Sequence, residues 1–183
     1  MNKSIEFNSK YINFKEEILS IIKNFNTSNG QTIKDHRNNI KKFSLEQIQI
    51  NVKSFGIPNF FNSIVYAFFR LSKANRSYNY AMKLLNLGIN TPTPICYYEV
   101  KKNGLLTNSF YVSEQLNFDF PISEVINNVN YPDRISILND FVGFTLKLHE
   151  NGINFLDHSP GNTLVRLNNS RPTFYLVDLN RMR

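Results

Sequence analysis

Leu148-His149-Glu150-Asn151-Gly152-Ile153-Asn154-Phe155-Leu156-Asp157-His158-Ser159-Pro160-Gly161-Asn162-Thr163-Leu164-Val165, followed by Tyr175-Leu176-Val177-Asp178-Leu179-Asn180, is the most informative part of this 183-residue chain. A helical run ends near Glu150 with Gly152 just past it, a loop presents Asp157, and Asn162 follows five residues later at the edge of a strand. The next strand delivers Asp178. Each residue alone has a duller reading: Asp157 as a turn cap, Asn162 as an Asx-turn residue, Asp178 as a strand terminus. Their order, spacing and alternation of secondary structure together point to phosphoryl transfer. A hydroxyl attacking a γ-phosphate must be oriented and relieved of its proton, which one carboxylate at a loop tip can do. The charge of a triphosphate calls for Mg2+, a hard ion satisfied by an amide oxygen and a carboxylate on neighbouring strands.

Upstream, Tyr11, Phe14, Ile18, Ile21, Ile22 and Phe25 recur at helical spacing. Short strands are expected between Gln31 and Phe55, the clearest being the alternating Ile48–Val52, ending near Lys53. A buried helix is expected over 60–71 and a second over 74–87, with Tyr78, Ala81, Leu84, Leu85 and Leu87 inward and Gly88 as its stop. Thr91-Pro92-Thr93-Pro94 must be extended. Strands at 95–100 and 105–116 flank Asn103-Gly104, a strong hairpin dipeptide. A helix from Asp133 to Glu150 is expected to turn Ile135, Leu138, Phe141, Val142, Thr145 and Leu146 inward, before two short strands at 163–167 and 173–177.

In this order of elements, with Val52-Lys53-Ser54-Phe55, Ser72-Lys73-Ala74-Asn75-Arg76-Ser77, Gly88-Ile89-Asn90-Thr91-Pro92-Thr93-Pro94, the Asp157–Asn162 loop and Val177-Asp178-Leu179-Asn180-Arg181, the chain resembles the protein-kinase superfamily. More narrowly, it resembles the bacterial lipopolysaccharide kinase (Kdo/WaaP) family, over roughly residues 30–183. The resemblance implies an α+β, protein-kinase-like two-lobe fold, with an antiparallel N-lobe sheet and a truncated helical C-lobe. It divides the chain into an N-terminal helical extension (1–30), an N-lobe (31–117) and a partial C-lobe with the catalytic loop (118–183). It implies ATP and Mg2+ as cofactors, Asp157 as the catalytic residue, and Asn162 and Asp178 as metal ligands. Lys53 would pair the nucleotide phosphates, Glu114 and Leu116 would form the adenine-binding hinge, and Arg37 and Asn38 would occupy the place of the glycine-rich loop. The implied acceptor is a sugar hydroxyl of the lipopolysaccharide inner core, reached by peripheral contact at the cytoplasmic face of the inner membrane.

Three departures qualify the resemblance. No Asp or Glu occurs between Glu46 and Glu99, and Asn79 stands where a kinase helix supplies the Glu that holds its lysine. Ser159 replaces the lysine that many protein kinases place two residues after the catalytic Asp, and the sequence ends five residues after Asp178. Two other readings therefore stay open: a catalytically impaired kinase-like binding module or fragment, and a small-molecule kinase of the aminoglycoside-phosphotransferase type.

Composition narrows the remaining classes. With 42% hydrophobic residues, including 16 Phe and 9 Tyr, the chain can build a packed core, which argues against global disorder. A single cysteine, Cys96, excludes an internal disulfide and a cysteine-based metal cluster. No apolar stretch is long enough to span a bilayer, so a cytoplasmic protein is expected. The net charge of +7 favours anionic partners such as nucleotides, phosphorylated glycolipids, membrane headgroups or nucleic acid; with the kinase resemblance, nucleic acid is not expected as a partner.

Overall fold

The computed structural model describes residues 2–35, 38–56, 70–169 and 171–182. The helix expected at 60–71 and the candidate residue Arg37 therefore fall outside the described residues, apart from Arg70 and Leu71. Backbone packing divides the chain into two compact units, 1–79 with 93–115 and 80–92 with 116–183.

The first unit is built on a six-stranded antiparallel sheet: β1 (Asn2–Phe7), β2 (Gln31–Asp35), β3 (Asn38–Ser44), β4 (Gln49–Phe55), β5 (Pro94–Lys102) and β6 (Leu105–Glu114), in the order β1-β5-β6-β4-β3-β2. The expected hairpin joins β5 to β6, with Asn103 and Gly104 both at positive φ (51° and 80°), the backbone that two-residue hairpin turns require. β4 runs to Phe55, two residues beyond the expected stop.

The first 30 residues differ most from expectation. The helical periodicity does produce a helix, α1 (Lys15–Lys23), entered through a 3-10 segment at Ser9–Phe14. Residues Asn2–Phe7 instead form an exposed edge strand paired along β5, from Asn2↔Lys101 to Phe7↔Cys96. This segment is thus part of the sheet and not a purely helical extension. Its backbone groups find partners only across 90-odd residues of chain, which local periodicity does not register. Its Lys3 and Glu6 suit an edge that must not recruit another strand.

α1 covers one face of the sheet. Tyr11, Ile18, Ile22 and Phe25 pack there with Ile50, Val52, Cys96, Tyr98, Val100, Phe110 and Val112. Gly30 is needed at the border of this cluster, because a Cβ there would lie 2.5 Å from the Phe43 ring. Helix α2 (Lys73–Asn86) meets the opposite face, where the Tyr78 and Tyr97 rings touch edge to face at 5.6 Å. Gly88, at φ 64°, ends α2 as expected: its N–H bonds the Leu85 carbonyl, and the Ile89 N–H bonds that of Leu84.

In the second unit, α3 (Ile122–Asn127) and α4 (Arg134–Glu150) pack with a three-stranded antiparallel sheet, β7 (Phe120–Pro121), β8 (Thr163–Asn168) and β9 (Arg171–Leu176), in the order β7-β8-β9. Phe120, Ile122, Val125, Ile137, Val165 and Phe174 form its core, with Leu138, Phe141 and Phe144 against them. The inward face of α4 needs correction. Ile137 and Leu148 are its buried residues, whereas Ile135, Val142 and Leu146, expected inward, are 67%, 66% and 54% exposed. The helix is apolar on more than one side, so periodicity alone could not choose which side packs.

Candidate functional site

The second unit assembles its site from the end of α4 and the open end of the β8–β9 hairpin. α4 stops as the sequence required: the Gly152 N–H bonds the His149 carbonyl at 2.9 Å, and the Ile153 N–H bonds that of Leu148 at 2.9 Å, with Gly152 at φ 66°. Ile153 and Phe155 then plug into the core and leave Asp157 at the loop tip, its side chain 39% exposed. The loop is also tied down on its far side. Phe155 bridges Met182, and the Leu156 N–H bonds the Arg181 carbonyl at 3.1 Å.

Asn162 holds the loop together. Its Nδ2 donates to the Asp157 carbonyl at 2.8 Å, and its own carbonyl accepts from the Val177 N–H at 3.0 Å. The Ser159 N–H reaches the same Asp157 carbonyl at 2.7 Å, and a 3-10 turn over Pro160–Asn162 completes the bend. With its nitrogen so engaged, the Asn162 amide has only its oxygen to offer a cation. The ladder pairs Thr163 with Leu176, so Asn162 and Asp178 emerge at one end of the same hairpin. Asp178 sits in the left-handed region (φ 59°, ψ 46°), a conformation for which Asp is better suited than most residues, and its Oδ1 accepts from Asn180 Nδ2 at 2.6 Å.

Three residues support this set that the sequence did not single out as site residues. His158 stacks on Phe155 with ring centres 5.6 Å apart, meets Phe141 edge to face, and lies 3.3 Å from Thr163 Oγ1. Burial, then the neighbouring His149, pushes its pKa below the usual 6.5, so it is a neutral anchor at pH 7. Arg181 Nη1 lies 3.8 Å from Asp157 Oδ1 on a well-exposed pair, a contact that solvent screens. Asn180 is buried beside Asp178. The only signal for Arg181 and Asn180 was their position just after Asp178; His158 needed the aromatic packing to be known.

The first unit holds the other candidates. Lys53 is buried on β4, its Nζ 5.2 Å from the centre of the Phe55 ring. Asn38 opens β3 opposite Phe55, while Ile40 opposes Lys53, so Asn38 and Lys53 share one face of the sheet. The Asn38 Oδ1 is buried without a hydrogen-bond partner among the described residues. Glu114 ends β6 with its N–H bonded to the Thr93 carbonyl at 2.9 Å. Its carboxylate is engaged by the Tyr11 hydroxyl and by Lys10 Nζ at 3.3 Å. A hinge role there would fall to the backbone. Leu116 belongs by packing to the second unit. Asn79, in the place of the kinase helix Glu, is exposed and donates to Asn75 Oδ1 at 2.7 Å.

Among the described residues no three His, Cys, Asp or Glu side chains gather as a metal cage. The all-oxygen pair Asn162 and Asp178 fits Mg2+ in the way that ion is usually held, by one or two protein oxygens completed by substrate phosphates and water. No helix of the described residues is long and apolar enough to cross a membrane.

Comparison with protein-family models and with curated protein sequences returned no match. Among solved structures, the chain is similar to WaaP in complex with acyl carrier protein, with a TM-score of 0.65 at 14% identity. The alignment covers all of this chain and 73% of that one. At that identity the likeness speaks for the fold alone: an α+β, WaaP-like kinase fold whose six-stranded antiparallel sheet is consistent with a kinase N-lobe.

Proposed function

We propose that this protein is a kinase that transfers the γ-phosphoryl group of ATP to a sugar hydroxyl of the lipopolysaccharide inner core. The observation that carries the reading is the bonding of Asn162, which joins the Asp157 carbonyl to the Val177 N–H and so ties the loop to the strand end bearing Asp178. In this reading Asp157 accepts the proton of the attacking hydroxyl and aligns it. The bonds to its carbonyl from Asn162 and Ser159 fix the loop tip beforehand, so no reordering is needed as the proton moves. Asn162 and Asp178 would hold Mg2+, which neutralises the phosphate oxygens when bound. Lys53 supplies a buried cation to the phosphates, and the backbone around Glu114 and Leu116 serves adenine. The acceptor class comes from the resemblance to lipopolysaccharide kinases and from the fold likeness to WaaP; the partner in that solved structure is acyl carrier protein. A glycolipid acceptor implies peripheral association with the inner membrane, which the net charge of +7 would assist.

Transfer of labelled γ-phosphate to inner-core lipopolysaccharide, with soluble sugars and aminoglycosides as competing acceptors, tests the reading. Asp157→Ala should lower transfer about 10²–10⁴-fold while nucleotide still raises the melting temperature. Full transfer by that variant would sink the assignment. Phosphorylation of an aminoglycoside alone would move the protein to the small-molecule kinases.

A second reading rests on Asn79. Exposed and bonded to Asn75, it cannot balance an ammonium charge as the kinase Glu does. That favours a module that binds nucleotide without transferring phosphate, and it predicts a nucleotide-dependent melting shift with no transfer to any acceptor.

A further inference from the structure

Arg76, in the first turn of α2, is 8% exposed, and its Nε and Nη1 are buried with no hydrogen-bond partner among the described residues. A guanidinium keeps its charge at any pH a protein survives, so it cannot escape burial by losing a proton. An unpaired buried charge is among the costliest features a fold can carry, and a bound anion is one partner that can complete it. The local sequence has nothing to pair with it, since no Asp or Glu occurs between Glu46 and Glu99.

The face of the sheet that α2 meets carries a buried carboxylate, Glu99, opposite Ser109, and around Phe55 it gathers cations. Lys73, one turn earlier on α2, places its Nζ 6.0 Å from the centre of the Phe55 ring, over which Lys53 Nζ also lies at 5.2 Å. Two ammonium groups thus share one ring on the face of the sheet that α2 meets. Asn38, the strand neighbour of Phe55, adds a second orphan, its buried amide oxygen. Rotating that amide by half a turn exchanges its oxygen for a donor nitrogen. Ser72 caps the helix through the Asn75 N–H at 3.1 Å, so the positive end of the α2 dipole adds to the three side-chain cations.

We infer that Arg76 is a phosphate-binding residue, completing with Lys53 and Lys73 a cationic subsite in the first unit for a phosphate group of a bound nucleotide or sugar phosphate. Three cations around one ligand suit the multiple charge of phosphate better than a single carboxylate, and the flat guanidinium fork matches phosphate oxygens. Anion capture stands on the first unit alone. Only its use in catalysis rests on the kinase reading.

The test measures melting temperature for the wild type, Arg76→Met and Arg76→Lys at matched ionic strength, alone and with inorganic tripolyphosphate, Mg2+-free ATP or glucose 6-phosphate. The wild type should be stabilised by at least one of these. Arg76→Met should melt at or above the wild-type temperature without ligand, because an unpaired buried charge has gone, and should lose the ligand-induced rise. Arg76→Lys, which keeps the charge and most of the bulk, should retain a smaller rise, and it decides the matter if Arg76→Met does not fold. A rise confined to ATP and tripolyphosphate makes the phosphate that of the nucleotide; one confined to glucose 6-phosphate makes it that of the acceptor. The inference is overturned if no probe stabilises the wild type, or if Arg76→Met melts lower without ligand yet keeps the full rise. It is also overturned if Arg76→Lys keeps the full rise. The kinase reading is judged separately, by wild-type and Asp157→Ala transfer, so either idea can fail alone.

Discussion

The two faces of the six-stranded sheet are made by the same strands, yet their chemistry is opposite. On the face under α1, Val112 is flanked by Val52 and Cys96, and Phe110 by Ser54 and Tyr98, with Ile18 and Ile22 closing over them. On the other face Tyr111 stands between Lys53 and Tyr97, Ser109 between Phe55 and Glu99, and α2 brings Asn75, Arg76 and Ser77 to positions just as buried. Apolar burial on the first face holds the unit together. Polar burial on the second costs stability unless the groups are paired, and this is the face on which we place the anion subsite. The comparison separates what a residue does for folding from what it does for binding, although both kinds are hidden from solvent.

The largest effect expected from disturbing this contrast is on the α1 face. Ile18→Ala should destabilise the protein by about 2–5 kcal/mol, read by urea unfolding, with nucleotide affinity of the folded fraction unchanged. Lys53→Met reverses the pattern. It should cost phosphate transfer about 10²-fold and abolish the nucleotide-induced melting shift, while melting without ligand moves by only a few degrees. A large loss of stability there would make the polar face structural after all.

A smaller effect belongs to the edge where the N-terminal segment meets β6. Burial pushes the Glu114 pKa up, but hydrogen bonds from Tyr11, Thr93 and Lys10 outweigh it and hold the carboxyl below the usual 4.5. A depressed folded pKa means that the stabilisation is fully present above the unfolded pKa and is lost as pH falls through the folded one. Glu114→Gln should therefore cost at most about 1 kcal/mol at pH 7, and should flatten the acid side of the stability curve below about pH 4.5. Thermal melts across pH 3–7 would show it. The smallest signal is an expected silence. Burial pushes Cys96 up to about 12, so the native thiol should not react with a disulfide reagent at pH 8 and should be labelled only after unfolding.

The parts of the molecule legible in the sequence are those governed by neighbours in the chain. Asn103-Gly104 makes a hairpin because both residues must adopt positive φ and these two residue types do so readily. Gly88 and Gly152 end their helices for the same reason. The Asp157–Asn162 loop was readable because its defining bond, Asn162 Nδ2 to the Asp157 carbonyl, spans only five residues. β1 was missed because its stabilising partners lie on β5, across most of the first unit. The face of α4 was misjudged because a helix apolar on several sides offers no internal criterion for which side to bury. Arg76 lay within a segment quoted for its family resemblance, but only burial without a partner distinguishes it from a solvated arginine.

By itself, the sequence determined most strands and helices of the described residues, β1 apart, the turns between them and the local loop that carries Asp157 and Asn162, because short-range hydrogen bonds and backbone preferences act between residues a few positions apart. Tertiary structure alone decided which buried positions are apolar support and which are polar or charged. Burial depends on what packs across the sheet from distant parts of the chain, and the cost of an unpaired charge appears only once that packing has excluded water.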